Sequence, residues 1–205
     1  EQSPQAGLVH CGYLDITPHM RPLRAVIDGA SGWVATEMIN YSSHVILGGG
    51  SAMVVSRRAF DAVGGFDESL RYVEDWDFWL RIALRFPVGF VPEVLMHYEV
   101  RSRRGQRNVR GVATSMIRVF DKAFADPTFP FAGLETQAYG NLHMGLATFY
   151  LRESREPWRA LSHIATALRL NPSNVWRIVR FPWRLMNQVR ESRRVPRDVL
   201  QGASL

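Results

Sequence analysis

GGGSAMVVSRRAFDAVGGFDESLRYVEDWDFWLRIA, residues 48 to 83, is the stretch from which the fold can be read. A glycine-rich turn, a strand, a helix, a second glycine turn and an acidic helix start follow one another in it. Ser51, Met53 and Val55 alternate with Ala52, Val54 and Ser56, and nearly all are small or apolar. That pattern predicts a buried strand leaving the turn made by Gly48, Gly49 and Gly50. Three successive glycines permit positive φ and close approach to the backbone. Residues 57 to 63 read as a short helix stopped by Gly64 and Gly65. The next helix is expected to start near Asp75. At 100° per residue, Trp76, Trp79, Ile82, Ala83 and Phe86 share one side, and Asp77, Arg81 and Arg85 fall opposite. This helix therefore docks an aromatic face and leaves Glu74 and Asp75 at its N-terminal rim.

Glu74, Asp75 and Asp77 place three carboxylates within four residues of an otherwise basic chain. A carboxylate in a first helical turn meets free backbone N–H groups and the positive end of the helix dipole. Such a group is expected to stay ionised, which suits a general base or a cation ligand. The alternative is N-capping by Asp75, with Asp77 in an i,i+4 pair to Arg81. For Asp77 the surface pair is the expectation.

The ordered set resembles the C-terminal half of the catalytic domain of family 2 glycosyltransferases, which have the GT-A fold. The elements that carry the resemblance are the small-residue strand ending at Arg58, the Gly64-Gly65-Phe66-Asp67-Glu68 turn, and Glu74-Asp75 opening a helix. Trp76-Asp77-Phe78-Trp79-Leu80-Arg81 continues that helix, and a strand at 88 to 92 and a segment at 93 to 98 follow in the family's order. The resemblance spans residues 6 to 126. It implies an α/β fold, the C-terminal half of a GT-A nucleotide-diphospho-sugar transferase domain, followed by an α-helical tail. It further implies a nucleotide-sugar donor, inversion at the anomeric carbon, and Asp75 as the base that takes the acceptor proton. Glu74 would orient the acceptor or the base. Gly49, Gly50 and Ser51 would line the donor sugar. Trp76 either offers an apolar face to a sugar or belongs to the core.

Asp75-Trp76-Asp77 also spells Asp-x-Asp, the pattern by which GT-A enzymes hold a divalent metal. In the family that motif ends a strand upstream of the glycine turn, whereas here the triplet opens a helix downstream of it. No metal ligand is therefore assigned in this chain; Asp15 and Asp28 stand alone in its first 47 residues. Magnesium or manganese is expected for the full-length enzyme, at a site outside these residues. The chain enters at Glu1 on a strand-like run, residues 7 to 16, which in the family follows the metal motif. The resemblance thus implies a fragment without its nucleotide-binding half, expected to be inactive alone. Many relatives carry Arg-x-His after the last strand; here Glu99 and Arg101 take those places, with His97 nearby. Arg101, Arg103 and Arg104 form either a diphosphate grip or a solvated basic loop.

The 205 residues, 46% of them apolar, suffice for one domain plus an extension. No apolar run approaches 18 residues, so no transmembrane helix is expected. A single cysteine, Cys11, excludes an internal disulfide and is read as a core residue. The six histidines show no metal-ligand spacing. A net charge of +6, carried almost entirely by arginine, suits phosphate groups. The basic residues are not interleaved with aromatics on a strand, so no nucleic-acid partner is expected.

Residues 1 to 126 are read as the acceptor-side half of the GT-A domain, with a helix over 108 to 125. Residues 127 to 173 are read as a helical hairpin. There Ala160, Ile164, Ala167 and Pro172 have the spacing of half a tetratricopeptide repeat, although Thr148 stands where an aromatic is usual. The alternative is a helical extension packed on the domain. Residues 174 to 205 form a basic amphipathic tail. Its helix, 175 to 191, carries Val175, Ile178, Val179, Leu185, Met186 and Val189 on one face and Arg177, Arg180 and Arg184 on the other. Residues 175 to 197 would lie on an anionic membrane, or the apolar face would cap the hairpin. The function expected is transfer of a hexosyl unit to a glycan or lipid-linked acceptor in cell-surface polysaccharide or glycolipid synthesis. The place expected is the cytoplasm, or the inner face of the cell membrane. Two rivals come from other classes: a non-catalytic helical interaction module and a basic nucleic-acid-binding domain.

Overall fold

The computed structural model describes residues 5–42, 45–100, 108–154 and 156–179. Its sheet is organised by one strand. β1 (Leu8–Ile16) alternates buried and half-buried residues along its whole length, the period of two that a strand imposes. One edge of β1 pairs in parallel with β4 (Val88–Glu99), from Leu8 opposite Val88 to Ile16 opposite Glu99. The other edge is shared by two short antiparallel strands. β3 (Met53–Val55) runs beside Leu8 to His10, and β2 (Pro22–Val26) runs beside Tyr13 to Ile16. β4 lays twelve residues against nine of β1, and the register shifts on both sides of Gly12. Pro92 and Glu93 drop out of the ladder there, where a missing proline N–H does no harm. A Cβ at Gly12 would lie 2.8 Å from the Glu93 carbonyl oxygen, so the bulge requires glycine at that position.

The helices are α1 (Ala35–Ile39), α2 (Arg57–Val63), α3 (Glu74–Ala83), α4 (Val109–Ala125), α5 (Glu135–Glu153), α6 (Pro157–Leu170) and the short α7 (Val175–Val179). None of the described helices is long and apolar enough to cross a membrane. Ser56 caps α2 by accepting the Ala59 N–H at 3.2 Å, and Gly64 ends it at φ 79°. One hydrophobic cluster runs from Leu8 and Val88 through Ile82 and Phe120 to Leu142 and Ala160. The α5–α6 hairpin contributes Leu142, Leu146, Tyr150 and Ala160 to this cluster. Of the tail, α7 is described, with Trp176 and Val179 exposed; Arg180 and the rest of the expected helix lie outside the described residues.

Two sequence expectations are corrected. The predicted strand at 51 to 56 is a 3₁₀ turn, Gly49–Ala52, followed by three strand residues. Val54 is 75% exposed, because β3 borders the sheet and only one of its faces meets the core. The second correction concerns Asp77, which is 2% exposed and no surface residue. Its Oδ2 accepts from Arg81 Nε at 2.8 Å, and its Oδ1 lies 2.7 Å from Lys122 Nζ on α4. Arg81 also donates to the Val63 and Gly65 carbonyls at 2.6 and 2.7 Å, closing the end of α2. Lys122 further meets Asp67 Oδ2 at 2.7 Å, and together with Ser69 it holds the Asp67 carboxyl well below the usual carboxylate range. The helical wheel placed Asp77 correctly opposite the aromatic face. It could not show that α4 covers that side as well.

Three histidines are folded in as neutral rings. His10 is 1% exposed on the buried side of β1; its Nε2 donates to the Ala30 carbonyl at 2.9 Å and its Nδ1 accepts the Leu47 N–H at 3.2 Å. His143 and His163 join α5 to α6 with their Nδ1 atoms 2.8 Å apart, which requires one donor and one acceptor. Burial lowers the pKa of all three, with Arg159 and Arg169 adding to the effect in the hairpin, and His163 falls to about 4.

Two predictions follow from these groups. Asp77→Asn breaks an ion network at its buried member. The loss should be about 2–3 kcal/mol, below the 3–5 typical of a fully buried pair because both cations keep some water. A drop of roughly 5–10 °C in thermal midpoint checks it. The second concerns pH. The unfolded chain takes up protons at an ordinary histidine pKa of about 6.5, while the folded chain resists them. Stability is therefore full above that pH and falls steadily down to about 4, where His163 charges in the folded state. Melting curves at stepped pH should show this slope, and His163→Asn should flatten it.

Candidate active site

The glycine turn is set on the sheet by His10. The Leu47 amide bound by His10 directly precedes Gly48. Gly48 (φ 76°) and Gly49 (φ 64°) are both left-handed. Gly48 packs over the sheet: a methyl group there would overlap Ala52 and approach Met96 Cε to 3.0 Å. At Gly49 and Gly50 a methyl group would meet nothing within 4 Å. The turn therefore presents open backbone at Gly49 and Gly50, and Ser51 beside them is exposed.

The acidic pair is set by a different part of the fold. Val73 stands at the N-cap of α3 with φ 56° and ψ 25° and makes no side-chain cap. A β-branched residue in the left-handed region is strained by about 1–3 kcal/mol. Asp75 is therefore not the cap. It sits one residue inside the helix, and its Oδ1 accepts the Trp76 N–H at 2.7 Å. Glu74 is exposed, while Asp75 is half-buried. Burial raises the pKa of the Asp75 carboxyl; the Trp76 N–H opposes the rise and the Glu74 charge adds to it. Loss of hydration thus outweighs the backbone N–H groups of Trp76 and Asp75 that favour the charged form. The Trp76 indole stacks on Phe120 at 5.4 Å and 20° and faces Tyr41 at 6.5 Å. One face of Trp76 is thus a core contact.

Among the described residues no three His, Cys, Asp or Glu side chains converge as a metal site would require. Asp77 supplies the physical reason at Asp75-Trp76-Asp77: both its oxygens are already held by Arg81 and Lys122. The described residues do not fit a divalent ion. A cavity of about 410 Å³ lies on the Asp77 flank of α3, lined by Asp77, Leu80, Arg81, Lys122 and Phe129 among others. Its charges are committed to one another and to backbone carbonyls, so it does not coincide with the Asp75 site. Arg101, Arg103 and Arg104 lie outside the described residues.

Sequence reasoning missed His10, Tyr41, Val73 and Gly145. The strand alternation that buries Leu8 and Leu14 also buries His10, so that one was legible. Cys11, by the same alternation, is half-buried and not a core residue. Tyr41 and Gly145 depend on a contact between distant segments, and the left-handed backbone of Val73 carries no residue-type signal.

A family model described as glycosyltransferase like family 2 matches residues 12–123. Those residues include the glycine turn, both carboxylates of the Glu74-Asp75 pair, and α4 up to Ala123. No curated protein and no solved structure matches the chain.

The two sides of the glycine turn should respond differently to substitution. Gly48→Ala puts a methyl group into a left-handed residue against Ala52 and should cost at least about 1–2 kcal/mol. Gly50→Ala meets no atom and has no positive φ, so its midpoint should equal or exceed the parent's. Thermal denaturation of both checks the assignment.

Proposed function

The chain belongs to glycosyltransferase-like family 2, and on that premise we propose that Asp75 is the general base of an inverting sugar transfer. The observation that carries this reading is the half-buried Asp75 carboxylate in the first turn of α3, with its proton affinity raised by burial. A carboxylate of raised pKa is a better proton acceptor than a fully hydrated one. In the proposed reaction Asp75 takes the proton of an acceptor hydroxyl. The acceptor oxygen then forms its bond to the anomeric carbon as the bond to the diphosphate oxygen breaks. The nucleoside diphosphate leaves with that electron pair, and the configuration inverts. Glu74, exposed beside Asp75, would meet the acceptor's polar groups. The open backbone at Gly49 and Gly50, with Ser51, supports a donor-side role for the turn. The fit is with a nucleotide-diphospho-sugar and a hydroxyl acceptor on a glycan or lipid carrier.

The test is turnover of the full-length protein against a panel of nucleotide sugars. Asp75→Asn should lower kcat by about 10²- to 10⁴-fold, the range of a lost general base, with donor binding little changed. The raised pKa also sets the acid limb of kcat/KM. Activity should rise with pH through a midpoint above the ordinary carboxylate value, and Asp75→Asn should remove that limb. Near-parental turnover in this variant would leave Asp75 as a helix-start residue only.

A further inference from the structure

We infer that α5, which lies beyond the family-matched residues 12–123, positions the Asp75 carboxylate through a seated aromatic contact: Gly145 seats Tyr41, Tyr41 faces Trp76, and the Trp76 N–H holds Asp75. Gly145 and Tyr41 are the positioning residues. Their consequence for turnover rests on Asp75 being the base; the geometric link does not.

Three observations converge on this link. Gly145 stands inside the 19-residue α5, where glycine costs about 1 kcal/mol relative to alanine. A methyl group there would overlap the Tyr41 ring and sit 3.1 Å from its Cζ. The glycine is therefore a seat for that ring. Tyr41, in turn, is a bulky residue in the left-handed region, at φ 53°. Its backbone is locked by the Tyr41 N–H to Met38 carbonyl bond at 2.9 Å and the Ser42 N–H to Glu37 carbonyl bond at 2.9 Å. A ring on so constrained a backbone cannot swing aside cheaply. The same face of α5 grips the preceding residue, as Gln137 Nε2 donates to Asn40 Oδ1 at 2.6 Å. Residues 137 and 145 are two i,i+4 steps apart and so share that face.

Beyond the seat, the rings form a closed nest. Tyr41 lies 6.4 Å from Phe120 and 6.5 Å from Trp76, and Trp76 stacks on Phe120. Tyr139, also on α5, meets Phe120 at 5.8 Å. Packed rings of this kind transmit displacement, because close-packed interiors leave no slack. Displacing Tyr41 moves Trp76, whose backbone amide is the partner of the Asp75 carboxylate.

The experiment follows the Asp75 carboxyl by ¹³C NMR titration in the 205-residue chain, beside thermal melts. It needs no turnover, so it can fail independently of the base assignment. In Gly145→Ala the Asp75 titration should move further up, because the displaced Trp76 N–H no longer opposes the effect of burial. Tyr41→Asn removes the ring, tolerates the left-handed backbone, and should cause the same shift without touching α5. The double variant should titrate like Tyr41→Asn alone, since the added methyl group then has no ring to displace. If Gly145→Ala does not fold, the Tyr41→Asn arm decides. An Asp75 titration unchanged in folded Tyr41→Asn, or two effects that add independently, would overturn the link and leave α5 a passive buttress.

Discussion

The Asp77 carboxylate meets two cations from two helices while shielded from water, and the arrangement of α2, α3 and α4 depends on it. Arg81 answers it from one turn further along α3 and spends its remaining donors on carbonyls at the end of α2. Lys122 answers it from α4 and extends the network to Asp67. A buried carboxylate without those partners would be strongly unfavourable, whereas with them its full coordination admits few other dockings of the three helices. The only lysine in the chain is used here. A compact ammonium can sit between two carboxylates, and a planar guanidinium fork fits that place less well.

The opposite flank of α3 is held by different physics. Trp76, Phe120, Tyr41 and Tyr139 meet as rings without any charge among them. Between the ionic flank and the aromatic flank, α3 has little freedom to rotate about its axis. Its first turn, where Asp75 sits, is thereby presented at a set depth. That depth matters chemically. Full exposure would leave Asp75 an ordinary, well-hydrated carboxylate, and complete burial would keep it protonated. Half-burial beside the backbone N–H groups of Trp76 and Asp75 lies between the two.

The glycine turn is positioned independently of both flanks, by His10 and by the sheet. The parallel pairing of β1 with β4, bulged around Gly12, carries the residues that pack beneath Gly48. His10 then bridges the Ala30 and Leu47 segments, and only its neutral form can donate at one nitrogen and accept at the other. The turn is thus borne by the sheet and the acid by a helix.

Much of this was legible in the residues. The Gly64-Gly65 stop, the start of α3 near Asp75, its aromatic face, and the helices at 109 to 125 and 157 to 170 all follow from local rules. Periodicity and capping are properties of a single segment and need no partner. The resemblance that singled out Asp75 drew on the same local order. Three features were not legible, for one reason. Asp77 looked like a surface partner of Arg81 because a helical wheel shows which residues share a face but not what covers it. The burial of Asp75 was hidden because the sequence displays the helix start but not what packs around it. Gly145 and Tyr41 carried no signal, because their fit joins segments more than a hundred residues apart. The chain by itself determined where elements begin and end and which faces are apolar, since those are short-range consequences of side-chain chemistry. Only the tertiary structure decided which charges are buried and how deep the acid sits, since hydration is set by whatever packs across from a residue.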